Sequence, residues 1–375
     1  MEKGWNAPLS RAVRDGIEAA VPVIVAGRVA DEQTAQGIID RGDADMVAMG
    51  RALIADPFLP AKVAAGEAGD IIRCVGCNEG CVAGSARGTG VGCALNPLSG
   101  AEGKYDLDPV ASPKKVAVIG GGPAGMQAAL AARFRGHTVD LYEKSDRLGG
   151  LLNVACKPPH KEDLRLISDY LYGKAQRAGV TFRFSCEATP ESVRNLSPDA
   201  VIVATGSLPV VPRFCASAAG AVTAQDILSG AEAGKNVLVL GGGLIGCETA
   251  EYLAAQGRSV TVVEMLPQLA KDMEWCARVL LLRRMASLGI KLRSGNEILS
   301  IGAGNAVTVR NEKGREETLS GFDTLVVAVG CRPDNALSGG LSAALDCPCV
   351  AVGDCRKTAK IMDAVHSGFE AALTL

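Results

Sequence analysis

Aromatic residues are scarce in this chain: Phe, Trp and Tyr together make up 4% of its 375 residues. No run of about 18 apolar residues occurs, so the sequence predicts no membrane span. The formal net charge is −2, which excludes the basic excess typical of nucleic-acid-binding proteins. The first twenty residues mix charges throughout and do not resemble a signal peptide. We therefore expect a cytoplasmic protein with neither nucleic acid nor membrane as a partner.

Glycine and cysteine, in contrast, are abundant, with 45 and 13 residues. A glycine-rich, aromatic-poor composition favours an α/β fold whose strands end in tight turns. In a reducing compartment, clustered cysteines bind a metal or cofactor more often than they form disulfides. The length allows two or three domains.

Residues 1–70 alternate helix-like and strand-like segments in the order α-β-α-β-α. The predicted helices cover residues 10–20, 31–42 and 54–66, and the predicted strands cover 21–27 and 45–50. Both strands are mainly apolar, as expected of strands that are covered on both faces. Residues 71–112 form a loop rich in Gly and Cys, followed by a linker.

The remainder of the chain contains an internal repeat. Residues 115–144 and 236–265 align without gaps at an offset of 121 residues, so that Gly120 matches Gly241 and Glu143 matches Glu264. Each copy predicts a strand, a Gly-x-Gly-x-x-Gly turn, a helix, a second strand and an acidic residue. Two such units in one chain predict two bound dinucleotides.

The three glycines of each turn have separate roles. In the first unit, Gly120 permits the tight turn, Gly122 lets the backbone approach a pyrophosphate, and Gly125 lets the helix pack closely on the strand. Glu143 follows 23 residues after Gly120, where a carboxylate can accept hydrogen bonds from a ribose. The second unit repeats this pattern with Gly241, Gly243, Gly246 and Glu264. Glu264 would repel a 2′-phosphate, which favours NADH over NADPH.

Four cysteines in the loop have the spacing Cys-x2-Cys-x3-Cys-x11-Cys, at Cys74, Cys77, Cys81 and Cys93. Zinc sites usually present two separated pairs, whereas three close thiolates and one distant thiolate fit an iron-sulfur cluster better. The glycines between them let the backbone turn its amides toward sulfur. Zinc and plain thiols remain alternatives.

From residue 116 to the end, the chain resembles flavoproteins with two dinucleotide-binding domains. The segments "RLGG", "VIVATGSLP", "LVVAVGCRPD" and "VAVGDC" carry this resemblance. It implies that the first unit binds FAD and that residues 213–333 are an inserted NADH-binding domain. The implied FAD residues are Gly120, Gly122, Pro123, Ala124, Gly125, Glu143, Arg147, Gly150, Thr205, Gly206, Gly353 and Asp354. The implied NAD residues are Gly241, Gly243, Gly246, Glu264 and Gly330.

Many such flavoproteins carry a redox-active Cys-x-x-Cys beside the flavin, and neither unit of this chain has one. Cys156 stands alone, while Cys347 and Cys349 are interpreted as ordinary core or loop thiols. A disulfide reductase is therefore disfavoured, and electrons that leave FAD need another acceptor.

The segment "CVGCNEGC…CALNP" directly after "DMVAMGRALIADP" resembles the NADH:flavin oxidoreductases of the Old Yellow Enzyme type. This group includes 2,4-dienoyl-CoA reductase, enoate reductase and trimethylamine dehydrogenase. The resemblance implies the last two strands of an FMN-binding (β/α)8 barrel over residues 1–70, and a 4Fe-4S loop with its linker over 71–112. It then implies an FAD domain over 113–212 and 334–375. The implied FMN phosphate ligands are Gly27, Arg28, Gly50 and Arg51, although both arginines could be plain surface charges.

The family barrel has eight strands, and this chain supplies strands 7 and 8. We expect either a fragment of a longer reading frame, a second chain that supplies strands 1–6, or a loosely folded first segment. The catalytic proton donor is unknown, since the family places it in the missing part. Of the three histidines, His137 is interpreted as structural and His160 as a loop residue, while His366 is interpreted as a plain helix position, with a place near the flavin as the alternative.

The resemblance implies electron transfer from NADH to FAD, to the 4Fe-4S cluster and to FMN, which reduces an activated C=C bond of a small molecule. An amine dehydrogenase or demethylase is one alternative. A non-catalytic electron-transfer subunit, like the small subunit of glutamate synthase, is a second, and an inert product without cofactors is a third.

Overall fold

The structure is a computed structural model that describes residues 2–17, 21–215 and 221–375. Its first part is a small parallel α/β unit. The bounds are α1 (Ala7–Gly16), β1 (Ile24–Ala26), α2 (Glu32–Asp40), β2 (Met46–Ala48), α3 (Gly50–Ala55) and α4 (Leu59–Ala64). Strands β1 and β2 pair in parallel, with Ile24 opposite Met46. The predicted order of elements is confirmed, and residues 18–20 of the first predicted helix lie outside the described residues.

The last predicted helix of this part, residues 54–66, is wrong as one element, because the chain breaks between α3 and α4. Asp56 is extended, with φ −142° and ψ 98°. It precedes Pro57, whose ring disfavours helical backbone at the preceding residue. The buried Asp56 carboxylate then accepts hydrogen bonds from the amides of Phe58 at 3.0 Å and Ile72 at 2.9 Å. The residue at the break, Asp56, thus also contacts the start of the cysteine loop through Ile72.

The cysteine loop contains one short helix, α5 (Val82–Arg87), and the rest of the chain forms the two nucleotide-binding units. The next elements are β3 (Lys115–Ile119), α6 (Pro123–Phe134), β4 (Thr138–Tyr142), α7 (Leu152–Ala155), α8 (Arg165–Arg177), β5 (Thr181–Arg183), α9 (Pro190–Asn195), β6 (Ala200–Val203) and β7 (Ser207–Pro209). They are followed by β8 (Ala221–Thr223), α10 (Ala224–Leu228), β9 (Asn236–Leu240), α11 (Leu244–Ala255), β10 (Ser259–Val263), α12 (Trp275–Ser287) and β11 (Lys291–Arg293). The last are β12 (Asn296–Ile301), β13 (Val307–Asn311), β14 (Glu316–Leu319), β15 (Thr324–Val327), β16 (Cys331–Pro333), α13 (Ala336–Ala344), β17 (Cys349–Ala351) and α14 (Ile361–Leu373).

The first unit is a five-stranded parallel sheet in the order β17-β6-β3-β4-β5. Its central strands are apolar on both faces, because helices cover the sheet on both sides. Helix α14 packs closely on α6: a Cβ added to Gly368 would lie 2.1 Å from the carbonyl oxygen of Ala124. The end of the chain is thereby part of the first unit.

The second unit is a five-stranded parallel sheet in the order β11-β10-β9-β15-β8, with an antiparallel meander of β12, β13 and β14. The chain enters and leaves it through β7 and β16, which pair antiparallel. At this crossing the hydroxyl of Thr205 donates to the carbonyl of Asp334 at 2.6 Å, and the Asp334 amide donates to Gly206 at 3.0 Å. The second unit is therefore nested inside the first, and the predicted α/β fold class is confirmed.

Within the described residues, no helix combines the length and the apolar character that a membrane span requires.

Candidate functional site

The first glycine turn has the geometry of a phosphate-binding turn. Gly120 has φ +107°, and a Cβ added there would lie 2.3 Å from the carbonyl oxygen of Ala204 on the neighbouring strand. A Cβ on Gly125 would lie 1.9 Å from the carbonyl oxygen of Gly120. Gly122, which precedes Pro123 at the start of α6, faces open space. The N-terminus of α6 is thus accessible to an anion.

The second turn repeats this geometry. Gly241 has φ +102°, and its added Cβ would lie 2.5 Å from the carbonyl oxygen of Ala328. The corresponding distance from Gly246 to the Gly241 oxygen is 1.9 Å, and Gly243 faces open space before α11. Both turns therefore need glycine at the first and third positions for steric reasons, and both leave the second position open to a ligand.

The two acidic residues stand beside these turns and are nearly buried. Glu143 accepts hydrogen bonds from the amides of Gly121 at 2.7 Å and Ser145 at 2.8 Å, and from the Ser145 hydroxyl at 2.7 Å. Glu264 accepts from the amides of Gly242 at 2.6 Å and Leu266 at 2.8 Å. Since a carboxylate offers about four acceptor positions, both residues keep capacity for a ribose hydroxyl.

The structural repeat extends beyond the residues that the sequence comparison aligned. The amide of Gly149 donates to the carbonyl of Gly121 at 2.8 Å, and the amide of Ala270 donates to Gly242 at the same distance. Gly149 and Ala270 are also 121 residues apart. Sequence reasoning missed this second match, although the Leu that precedes each of them was a visible signal.

Of the remaining predicted FAD residues, Gly150 and Gly353 lie against the first turn and the start of the helix that follows it. A Cβ on Gly150 would lie 3.2 Å from the Gly122 Cα, whereas Arg147 is exposed. Gly353 packs against Ala124, with an added Cβ at 2.8 Å from its Cβ.

Asp354 accepts from the hydroxyl of Ser207 at 3.0 Å and from the amide of Ala359 at 3.1 Å. Thr205 and Gly206 lie at the crossing between the units. Gly330 has φ +111° and accepts a backbone hydrogen bond from Val210 at 2.9 Å. These residues therefore occupy the carboxyl ends of strands, where ligands bind in open α/β sheets.

Three apolar side chains that sequence reasoning did not single out are exposed at the carboxyl edge of the second sheet. Ile245, Met265 and Val329 are 41%, 65% and 40% exposed. They follow β9, β10 and β15, beside the glycine turn and Glu264. Apolar groups at this edge can cover the faces of nucleotide rings.

The four loop cysteines line one cavity together with Arg51 and Asn78. Backbone amides point at two of these sulfurs. The Leu95 amide donates to Cys93 Sγ at 3.4 Å. Burial raises the pKa of Cys74, and the hydrogen bond from the Gly76 amide opposes this shift. Burial raises the pKa of Cys77 to about 12. In the described part of the chain, no three His, Cys, Asp or Glu side chains converge as a ready site for one metal ion. A metal at these cysteines therefore stays a prediction.

The loop is closed by backbone contacts and held by the last helix. The amide of Gly92 donates to the carbonyl of Gly80 at 2.9 Å, and a Cβ on Gly80 would lie 2.7 Å from the Gly92 oxygen. His366, on α14, contacts the carbonyl oxygen of Cys93 through Nε2 at 2.9 Å. The candidate flavin neighbour thus lies against the cysteine loop.

The predicted FMN phosphate ligands lie at the ends of the two short strands. Arg28 pairs with Asp163 at 2.8 Å, and Arg51 donates to the side-chain oxygen of Asn78 at 2.6 Å. Gly27 packs against Asn6, since an added Cβ would lie 2.6 Å from the Asn6 Cβ.

Gly50 begins α3 and faces open space. The two arginines therefore connect the first seventy residues to the rest of the molecule, and a role in binding FMN stays a prediction.

One ion pair joins the two nucleotide-binding units. Lys161 of the first unit lies 2.5 Å from Glu248 on α11, and the Glu248 side chain is 9% exposed. Burial, against the attraction of Lys161, raises the pKa of the Glu248 carboxyl. Sequence reasoning missed this pair, because its members are far apart in the chain and meet only when the units dock.

The thiols expected to be ordinary have ordinary surroundings. Cys347 and Cys349 pack against the core of the first sheet, and Cys156 packs against the core cluster that includes α6. His137 is buried, and its Nδ1 accepts from the Lys114 amide at 3.0 Å.

Comparison with known proteins places this geometry in two oxidoreductase families. The model of the pyridine nucleotide-disulphide oxidoreductases matches residues 114–350. The model of the NADH:flavin oxidoreductase / NADH oxidase family matches residues 13–69. The chain belongs to the pyridine nucleotide-disulphide oxidoreductases, and its first part belongs to the NADH:flavin oxidoreductase family. The predicted family is confirmed.

Similar proteins match along almost the whole chain. NADH oxidase of Thermoanaerobacter brockii is 39% identical over 99% of this chain and 58% of its own length. Bilirubin reductase of Mediterraneibacter gnavus is 36% identical over 95% of this chain and 55% of its own. A structure of 2-naphthoyl-CoA reductase with 2-naphthoyl-CoA has a TM-score of 0.94 and 32% identity, over 100% of this chain and 57% of that one. The chain thus spans a little over half the length of these proteins.

Proposed function

We propose that this chain is the NADH-oxidising part of an NADH:flavin oxidoreductase that reduces an activated C=C bond. The observation that carries the proposal is the presence, in one chain, of two glycine turns of equal geometry and one cavity lined by four cysteines. The similarity to bilirubin reductase and 2-naphthoyl-CoA reductase supports a conjugated small molecule as substrate. The proposal names a class of substrate and assigns no residue as the catalytic proton donor.

Each cofactor is assigned to the residues that fit it. FAD fits the turn from Gly120 to Gly125 with Glu143, and NADH fits the turn from Gly241 to Gly246 with Glu264. FAD held at the first turn would supply an acceptor for a hydride from NADH and a source of single electrons, which an iron-sulfur cluster could carry. The role of the chain is to hold both nucleotides and to keep the cluster beside them.

A 4Fe-4S cluster fits the cysteine cavity better than a zinc ion does. The four thiols line one cavity and keep the spacing of three close cysteines and one distant cysteine, rather than the two separated pairs usual for zinc. In a cubane cluster each thiolate binds a different iron, so the sulfurs stand farther apart than around one ion. Backbone amides near Cys74 and Cys93 would stabilise thiolate charge.

FMN belongs to the incomplete barrel, at Gly27, Arg28, Gly50 and Arg51. Ile24 and Met46, on the two short strands, are 60% and 47% exposed, which supports further barrel strands beside them. We propose a second chain that carries strands 1–6 as the partner. An amine dehydrogenase is less well supported, since the second glycine turn is fully formed. A pure electron-transfer subunit is less well supported, since residues 13–69 match the NADH:flavin oxidoreductase family.

The experiment that tests this function is anaerobic reduction of the bound FAD. NADH should bleach the flavin absorbance within seconds, and NADPH should act at least about tenfold more slowly, because Glu264 repels a 2′-phosphate. Glu264→Gln keeps an acceptor for the Gly242 amide but removes the charge, so it should reduce this preference several-fold. A flavin that NADH leaves oxidised would contradict the assignment of the second unit.

A further inference from the structure

The cysteine loop is joined to the second nucleotide-binding unit through one amide side chain. Asn78 lies between Cys77 and Cys81. Its side-chain oxygen accepts a hydrogen bond from Arg51 at 2.6 Å, and its side-chain nitrogen donates to Glu274 Oε2 at 3.3 Å. One side chain therefore connects the first seventy residues, the loop and the second unit.

Glu274, which accepts the hydrogen bond from Asn78, also has a structural role at the start of α12. Glu274 caps the N-terminus of α12 by accepting from the amides of Cys276 at 3.0 Å and Ala277 at 3.2 Å. It is only 8% exposed. A buried carboxylate is strongly stabilised by such donors, and a second negative charge beside it would be costly.

Residue 78 must satisfy two chemical demands and one conformational demand. A guanidinium only donates and a carboxylate only accepts, so the residue between Arg51 and Glu274 must do both, as an amide does. The backbone of Asn78 also has φ +63°. Asn adopts this left-handed region more readily than most residues with a side chain. Aspartate could meet the conformational demand but not the contact with Glu274.

A second contact reinforces the first at the next residue of the loop. Lys360, before α14, donates to the carbonyl of Asp272 at 2.6 Å and lies 3.4 Å from Glu79. The segment around residues 272–274 is therefore anchored to the loop at two adjacent positions.

The same segment is in contact with the glycine turn of the second unit. Between Glu264, beside the predicted ribose position, and Glu274 lie nine residues. Within them, Ala270 donates to the carbonyl of Gly242 at 2.8 Å, and Leu269 Cδ2 lies 2.3 Å from the position of a Cβ on Gly242. A nucleotide that orders this turn also orders the segment that docks on the cysteine loop.

We propose that Asn78 is a positioning residue that couples nucleotide binding in the second unit to the cysteine loop. The inference depends on the NADH assignment made under the proposed function. Coupling between two sites is reciprocal: a loop that docks well strengthens nucleotide binding, and a bound nucleotide stabilises the docked loop. Asn78 thus holds the NADH-binding unit against the segment that carries the predicted cluster ligands.

The test uses the full chain with NAD⁺, which binds without reducing the flavin. Asn78→Asp keeps an acceptor for Arg51 but opposes a carboxylate to Glu274. Asn78→Gly removes both hydrogen bonds and tolerates the positive φ. The double variant Asn78→Asp/Glu274→Gln restores a donor opposite the new carboxylate. Asn311→Asp is the matched control, since Asn311 Oδ1 only accepts, from Lys313 and Arg315, in an exposed hairpin turn.

Two quantities are measured: the Kd for NAD⁺ by calorimetry, and hydrogen exchange of residues 74–81 with and without NAD⁺. In the wild type, NAD⁺ should slow exchange in the loop. Asn78→Asp and Asn78→Gly should abolish this protection and raise the Kd by about 5- to 10-fold, a typical coupling. The double variant should recover most of both effects, and Asn311→Asp should change neither.

The outcomes distinguish the proposed coupling through Asn78 from the NADH assignment on which it rests. Wild-type Kd and wild-type protection in Asn78→Asp and Asn78→Gly would overturn the coupling and leave the NADH assignment intact. Absence of NAD⁺ binding to the wild type would overturn both. A double variant as impaired as Asn78→Asp, in protein that retains FAD, would also contradict the role of the Glu274 contact.

Discussion

At the scale of single residues, Glu143 and Glu264 each combine a structural and a candidate binding role. Their carboxylates hold the second amide of the glycine turn, Gly121 or Gly242, in a buried position. The same oxygens are predicted to accept from a ribose, so the residue that shapes the turn would also select the sugar. Replacement by alanine would therefore alter the turn and the site together, and Gln is the informative substitution.

The cysteine ligands are testable one residue at a time. We expect Cys77→Ala to lose iron and acid-labile sulfide while keeping FAD, because the predicted cluster and FAD sites use separate segments of the chain. Iron, sulfide and flavin would be measured in anaerobically purified protein. Cys347→Ala is the matched control, since Cys347 packs against the core of the first sheet and has no predicted ligand role. Joint loss of iron and FAD in Cys77→Ala would contradict the separation of the sites.

At the scale of elements, the turn and helix of each unit form a module that depends on one close backbone approach. The third glycine of each turn leaves no room for a side chain, with an added Cβ 1.9 Å from a carbonyl oxygen in both units. The two modules share a geometry but are predicted to bind different nucleotides. A methyl group at the equivalent position should therefore affect the two nucleotides separately.

We expect Gly125→Ala to lose FAD, and Gly246→Ala to retain FAD that NADH no longer reduces. The added methyl group must displace the strand or the helix, which widens the phosphate-binding turn. Flavin content and anaerobic bleaching would be measured for both. Gly339→Ala, in α13, is the control, because its Cβ meets no atom within 4 Å and its φ is not positive. Bleaching of Gly246→Ala at the wild-type rate would show that NADH binds elsewhere.

At the scale of the whole molecule, the first seventy residues leave part of their small sheet exposed. Their two strands pair with each other, and Val25 is buried in a small core, while Ile24 and Met46 are exposed on the same sheet. A parallel sheet is normally covered on both faces. Arg28 and Arg51, which anchor this part to the rest, are also the predicted ligands of the FMN phosphate.

The content of FAD, iron and FMN in the purified chain should show whether further strands are needed to form the FMN site. For the chain alone we expect FAD, about four irons, as one cubane cluster holds, and no FMN. Addition of a polypeptide with the missing strands should introduce FMN. Both preparations would be analysed for flavins after denaturation. FMN bound to the chain alone would contradict the need for a partner, and FMN absent from the complex would contradict the barrel assignment.

Much of the fold could be predicted from the sequence because its signals are local. The turn at Gly120 and its copy at Gly241 are built from contiguous residues, and each glycine is required by contacts within about ten residues or by the adjacent parallel strand. The order of elements in residues 1–70 follows from apolar runs and turns. The prediction of one helix over 54–66 was wrong because the effect of Pro57 on Asp56 outweighed the apolar pattern.

The sequence by itself determined the family, the α/β class, the two glycine turns and the spacing of the four cysteines. Only the tertiary structure decided how these parts meet. Asn78 and Glu274 are 196 residues apart, and Cys93 and His366 are 273 apart. Lys161 meets Glu248 in the same way, between units. Such pairs have no periodicity or motif, because their members belong to distant segments that meet only where those segments dock. The connections between the candidate sites are therefore a property of docking, while the sites themselves are a property of local sequence.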